Sequence, residues 1–70
     1  MSKLTDKQWV ELTKIMVNFM SNGLRVGQSY MNALRSVDED LYIEITSTDS
    51  DCFFNDNKVI NFIRFLNDTK

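Results

Sequence analysis

The stretch Asp38-Glu39-Asp40-Leu41-Tyr42-Ile43-Glu44-Ile45-Thr46 admits two readings, and the fold class turns on which one holds. Its second half alternates apolar with polar residues and is β-branched, which suits a strand. Its first half is a helix start. Asp38 is a good N-cap, and Glu39 and Asp40 fall where the helix dipole favours anions. Val37 before the cap and Tyr42 at the fourth helical position have the spacing of a hydrophobic staple. A lone strand would need a partner, and no second strand is evident elsewhere in the sequence. The stretch therefore reads as a short acidic helix.

Helical patterns flank it on both sides. Upstream, Leu24 to Val37 places Val26, Tyr30, Ala33, Leu34 and Val37 on one stripe. Gly27 lies near the start of that segment, at a cost of about 1 kcal/mol relative to Ala. Close approach of another helix would explain it, since no Cβ intrudes there. Further upstream, Leu4 to Met20 opens with a capping box, Thr5 with Gln8, and a staple, Leu4 with Trp9. Trp9, Leu12, Met16, Phe19 and Met20 follow the helical period, and Val10, Ile15 and Val17 widen the stripe beyond half the circumference. Ser21-Asn22-Gly23 is a stop, with Gly23 suited to the left-handed position after a helix. Downstream, Thr46 to Asn55 breaks periodicity and reads as a loop, which at least one of Phe53 and Phe54 pins to the core. From about Asp56 or Asn57 to Asn67, the stripe Val59, Phe62, Ile63 and Leu66 gives a last helix, with Ile60 and Phe65 off the stripe.

The expected architecture is all-α: a single domain over residues 1–70, a small bundle of three longer helices plus one short acidic helix. Its expected core is Trp9, Leu12, Met16, Phe19, Tyr30, Leu34, Ile45, Phe53, Val59, Phe62, Ile63 and Leu66. The 70 residues suffice for one domain near the lower size limit of autonomous folding. An apolar fraction of 43% with no Pro and two Gly excludes collagen-like, Pro-rich and linker classes. The longest apolar run, Ile15-Met16-Val17, is too short for a membrane span, and Met1 to Asp6 lacks the apolar run of a signal peptide. The single Cys52 cannot form an internal disulfide, so the chain reads as cytoplasmic, and Cys52 reads as a small half-buried apolar residue.

The catalytic inventory is thin. There is no His, which removes the commonest general base and the commonest metal ligand together. The loop acids Asp49 and Asp51 invite a calcium reading, but Phe53 and Phe54 occupy the fifth and sixth positions counted from Asp49, where a ligand and a Gly belong. No metal, cofactor or catalytic residue is expected, and the chain does not read as an enzyme. The bases are dispersed, and Trp9 and Tyr30 lie on apolar stripes, so no direct nucleic-acid binding is expected.

Charge is unevenly placed. Between Ser36 and Asn57 lie seven acids and no base, while the rest of the chain holds all eight bases and three acids. Asp38, Glu39, Asp40, Glu44, Asp49 and Asp51 form a candidate acidic patch. Such carboxylates can imitate nucleic-acid phosphates in the basic cleft of another protein. The plainer reading is a solvated helix start followed by a polar loop. Apolar residues in excess of what so small a core can hide are the other surface feature. Val10, Val17, Met20, Ile60 and Phe65 are a candidate interface, covered by a partner or by a second copy of the chain.

From Gly27 to Leu66 the sequence also resembles a group of small, largely uncharacterised helical proteins encoded by tailed phages and by bacteria. The resemblance rests on Gly27-Gln28, Asn32-Ala33-Leu34, Val37-Asp38 with Leu41, Thr48-Asp49, Phe53-Phe54, Asp56, and the helix from Val59 to Leu66. Where that group commonly has Asp-Pro before the aromatic, this chain has Asp51-Cys52, which changes the rigidity expected of the loop. The resemblance implies a small helical fold and a phage origin, and it supplies no catalytic residues. The resulting expectation is a non-enzymatic protein–protein interaction module. It would be a phage accessory or host-directed protein, acting in the host cytoplasm by binding itself or a host protein through apolar helix faces. The rival is an acidic inhibitor that occupies a nucleic-acid-binding cleft of a host protein.

Overall fold

A computed structural model describes residues 3–67. The ends of the domain expected over residues 1–70 lie outside the described residues. The chain is all-α. Its helices are α1 (Asp6–Ser21), α2 (Val26–Val37), α3 (Glu39–Ile45) and α4 (Val59–Asn67), with a 3-10 turn (Asp56–Lys58) leading into α4. The stretch from Glu39 to Ile45 is helical, and no strand occurs among the described residues.

Local chemistry accounts for most helix ends. At α1, the Gln8 N–H donates to Thr5 Oγ1 at 3.1 Å, and the Thr5 N–H donates to Gln8 Oε1 at 2.9 Å, closing the capping box. At its other end, the Leu24 N–H donates to the Phe19 carbonyl at 3.2 Å and the Gly23 N–H to the Met20 carbonyl at 3.0 Å. This is a Schellman closure, and Gly23 takes the left-handed φ of 97° it requires. Asp38 closes α2 and opens α3, its Oδ1 accepting the Leu41 N–H at 3.2 Å. Before α4, Asn55 Oδ1 accepts the Asn57 N–H at 2.9 Å, so the segment begins as a 3-10 turn and α4 has only nine residues. That is shorter than the helix expected from Asp56 or Asn57. A side-chain turn holds the first residues in the tighter winding.

α2 is the hub and packs against α1, α3, α4 and the 3-10 turn. Close packing on several sides explains why it buries the small residues Gly27, Ser29 and Ala33 beside Met31 and Leu34. Leu4, Leu12, Met16, Ile45, Cys52, Phe62 and Leu66 complete the buried cluster. Trp9, Tyr30, Phe53, Val59 and Ile63 pack against it half-buried. The rings of Tyr30 and Phe62 lie 5.3 Å apart at 45°. Of the expected core, Phe19 alone lies outside this cluster. Cys52 is wholly buried where half-burial was expected. Its thiol donates to the Gly27 carbonyl at 3.3 Å.

Candidate functional site

The connection from Thr46 to Asn55 is pinned by its own side chains. Ser47 has φ 66°, uncommon for a residue with a Cβ, and its N–H donates to Asp51 Oδ2 at 2.9 Å. Asp51 Oδ1 accepts the Phe53 N–H at 3.0 Å. One carboxylate thus ties both ends of the turn. Further along, the Arg25 guanidinium donates through Nη2 to the Phe54 carbonyl at 3.2 Å. Arg25 Nε lies 3.6 Å from Asp56 Oδ2, and Asp56 Oδ1 accepts the Gly27 N–H at 3.1 Å. The loop therefore crosses the first turn of α2 at Gly27. A Cβ there would overlap the Cys52 carbonyl oxygen and sit 2.9 Å from Asp56 Oδ1. The close neighbour of Gly27 is a loop carbonyl and a carboxylate, where another helix was expected.

Between this loop, α2 and α3 lies a cleft of about 190 Å³ lined by Met31, Tyr42, Thr46, Asp51, Phe53 and Phe54. The Phe53 and Phe54 rings meet edge to face, 4.7 Å apart at 70°. Phe53 packs inward, and Phe54 is 85% exposed. A more open cleft of about 310 Å³, lined by Ser47, Thr48, Asp51, Phe54, Asn55 and Lys58, lies on another side of Phe54. A third depression, about 300 Å³, is lined by Trp9, Val10, Thr13 and Lys14 on α1. Among the described residues, no group of three or more His, Cys, Asp or Glu is placed to hold a metal ion. No helix is long and apolar enough to cross a membrane, among the described residues.

The candidate apolar residues divide. Val10, Val17, Met20 and Ile60 are exposed, Ile60 most of all at 63%. Phe65 differs, being half-buried and packed against the core with the Lys3 ammonium 4.9 Å from its ring centre. The segment before α1 covers that side of α4, since the Lys3 N–H donates to the Leu66 carbonyl at 2.7 Å. Periodicity carries no signal for such docking. Ile43 and Phe54 are exposed apolar residues that the sequence reading did not single out.

The acidic residues divide as well. Asp38 and Asp51 accept backbone N–H groups, and Glu39 sits 4.0 Å from Arg35 in an i, i+4 pair. Asp40, Glu44 and Asp49 are exposed. Burial pushes the Cys52 thiol from 9.0 up to about 12, and the neighbouring carboxylates of Asp51 and Asp56 add to the rise. A thiol held in that form is a packing group and a weak nucleophile at neutral pH. No family model, curated protein or solved structure matches the chain.

Proposed function

We propose that this chain is a non-enzymatic interaction protein that binds itself or a host protein through apolar side chains on its surface. The resemblance of residues 27–66 to small proteins of tailed phages and bacteria supports reading it as an accessory or host-directed phage protein, acting in the host cytoplasm. In this reading the four helices form a bundle whose purpose is to hold contact residues in place. The observation that carries the proposal is the exposure of Val10, Val17, Met20, Ile43, Ile60 and Phe54 on so small a body. The absence of His from the sequence supports the non-enzymatic half. Light scattering over a concentration series tests self-association. An apparent mass that rises with concentration, and falls back in Val17→Asp with Ile60→Asp, is the expected result. A strict monomer at high micromolar concentration removes the self-association half.

One observation favours the acidic-inhibitor reading enough to keep it second. Asp40 and Glu44 stand one turn apart on α3, both exposed, with no ion pair among the described residues. Like charges at that spacing weaken a helix by a few tenths of a kcal/mol. Salt separates the readings, because charge-driven occupation of a basic cleft weakens steeply as ionic strength rises and apolar contact does not.

A further inference from the structure

We infer that the cleft between α2, α3 and the 46–55 loop receives an arginine side chain of a partner protein. The inference rests on the interaction reading and adds the chemistry of the contact. Three aromatic residues line the cleft, Tyr42, Phe53 and Phe54, together with the carboxylate of Asp51. The Phe53 and Phe54 rings are set at 70°, and a guanidinium would dock on a ring face, where the quadrupole is negative, and not on an edge. Aromatic faces attract cations through the ring quadrupole, and Arg is the side chain that most often uses this contact. Within the chain the Arg35 guanidinium stands 5.8 Å from the centre of the Tyr42 ring, so one of the lining rings already meets a cation.

Charge points the same way. Asp51 supplies each carboxylate oxygen to one backbone N–H, and each oxygen retains a lone pair for a further donor. Of the seven acids between Ser36 and Asn57, Asp51 is the one that lines the cleft, and no base lines it, although Arg35 stands over the Tyr42 ring. Lys58 lines the adjacent cleft and not this one. A cationic occupant gains a charge contact with Asp51, whereas a phosphate or carboxylate would meet like charge.

Pre-organisation supports a binding role over mere exposure. Phe54 is the most exposed large apolar side chain of the described residues, yet its main chain is fixed. Arg25 holds its carbonyl, and the Asn55 N–H donates to the Cys52 carbonyl at 3.3 Å. With its main chain already held, this segment has little backbone freedom left to lose when Phe54 is covered.

The test is an NMR titration of the folded chain with the capped tripeptide Gly-Arg-Gly, beside Gly-Leu-Gly at the same concentrations. The expected result is saturable shifts of the Tyr42, Phe53 and Phe54 ring resonances with the arginine peptide, and much smaller ones with leucine. Phe54→Ala and Phe54→Leu are each expected to weaken arginine binding by about two- to fivefold, the worth of one exposed cation–π contact. Phe54 is so exposed that both variants keep the fold, which the unchanged amide spectrum verifies. Equal shifts from the leucine peptide, or full binding in Phe54→Leu, would overturn the arginine assignment and leave apolar association standing. Arginine binding by a chain that is monomeric in light scattering would uphold this site while removing self-association.

Discussion

The start of α1 and the start of α2 meet the same need, backbone N–H groups without partners inside the helix, from opposite distances in sequence. At α1 the acceptor is Thr5, three residues from the Gln8 N–H it satisfies. At α2 the N-cap residue, Arg25, makes no side-chain cap bond, and the Gly27 N–H is taken by Asp56, twenty-nine residues away. The first cap forms whenever α1 forms. The second exists only once the 46–58 segment has folded across α2. The contrast teaches where cooperativity sits: α1 carries its own start signal, and α2 depends on tertiary structure for part of its own.

Gly27→Ala is expected to break the remote arrangement most completely. The new Cβ would overlap the Cys52 carbonyl, which belongs to a backbone pinned on both sides and cannot swing away as a flexible side chain would. The helix-propensity gain of about 1 kcal/mol is then outweighed by steric displacement of the loop, giving a net loss of about 2–3 kcal/mol. Thermal and urea unfolding check the sign. A stabilised Gly27→Ala would show that the loop does not cross α2 there.

Asp56→Ala is expected to cost about 1.5–2 kcal/mol, the upper range for a cap, because it removes the acceptor for Gly27 and the Arg25 ion pair together. The ion pair is the smaller part, since it is open to solvent on the Arg25 side and only partly covered at Asp56. Asp56→Asn keeps an acceptor for the N–H, so it is expected to recover more than half of the loss. Amide exchange at Gly27 reports the same event, speeding in Asp56→Ala with little change at Gln8.

Cys52 sharpens the comparison through pH. Its folded-state pKa, about 12, lies above the ordinary 9.0, so the unfolded chain loses the thiol proton first as pH rises. The contribution to stability is fully present below about pH 9 and is lost between pH 9 and 12. The expected loss is about 1 kcal/mol for each pH unit above 9, up to the folded-state value. The difference between the pH profiles of the parent and Cys52→Ala isolates it from the other titrating groups. Parallel profiles would mean that the thiol is not closed off beneath the loop.

What the sequence made legible follows the same division. Thr5 with Gln8, Gly23 and Asp38 announce structures completed within about four residues, and all are found where spacing placed them. Gly27 announced a close approach, expected of another helix and made by a loop carbonyl and a carboxylate. Asp56 read only as a start of the last helix, yet it accepts the Gly27 N–H of α2, because nothing in local spacing encodes a contact across twenty-nine residues. The candidate contact residues show the limit from the surface side. Val10, Val17 and Ile60 are exposed, as a departure from the core stripe suggests, and Met20 is exposed although it follows the period of α1. Phe65 departs from its stripe too, but the segment before α1 folds back over it. Phe54 and Phe53 are neighbours of identical type, so nothing in their chemistry says which turns inward, and the bonds to Asp51 and Arg25 that hold their main chain come from outside the pair.

The local cap supplies the control with the smallest expected effect. Thr5→Ala removes the acceptor for the Gln8 N–H and is expected to cost about 1 kcal/mol. The loss stays near that value because the first turn of α1 is exposed, and water replaces the lost acceptor. Thr5 and Asp56 share no hydrogen-bond partner, so the double variant is expected to add within about 0.5 kcal/mol. Amide exchange separates the two sites further: Thr5→Ala frays α1 alone, with Gly27 exchange changed only as much as global stability changes. If Thr5→Ala instead speeds Gly27 exchange as much as Asp56→Ala does, the two helix starts are one cooperative unit and the contrast between them fails.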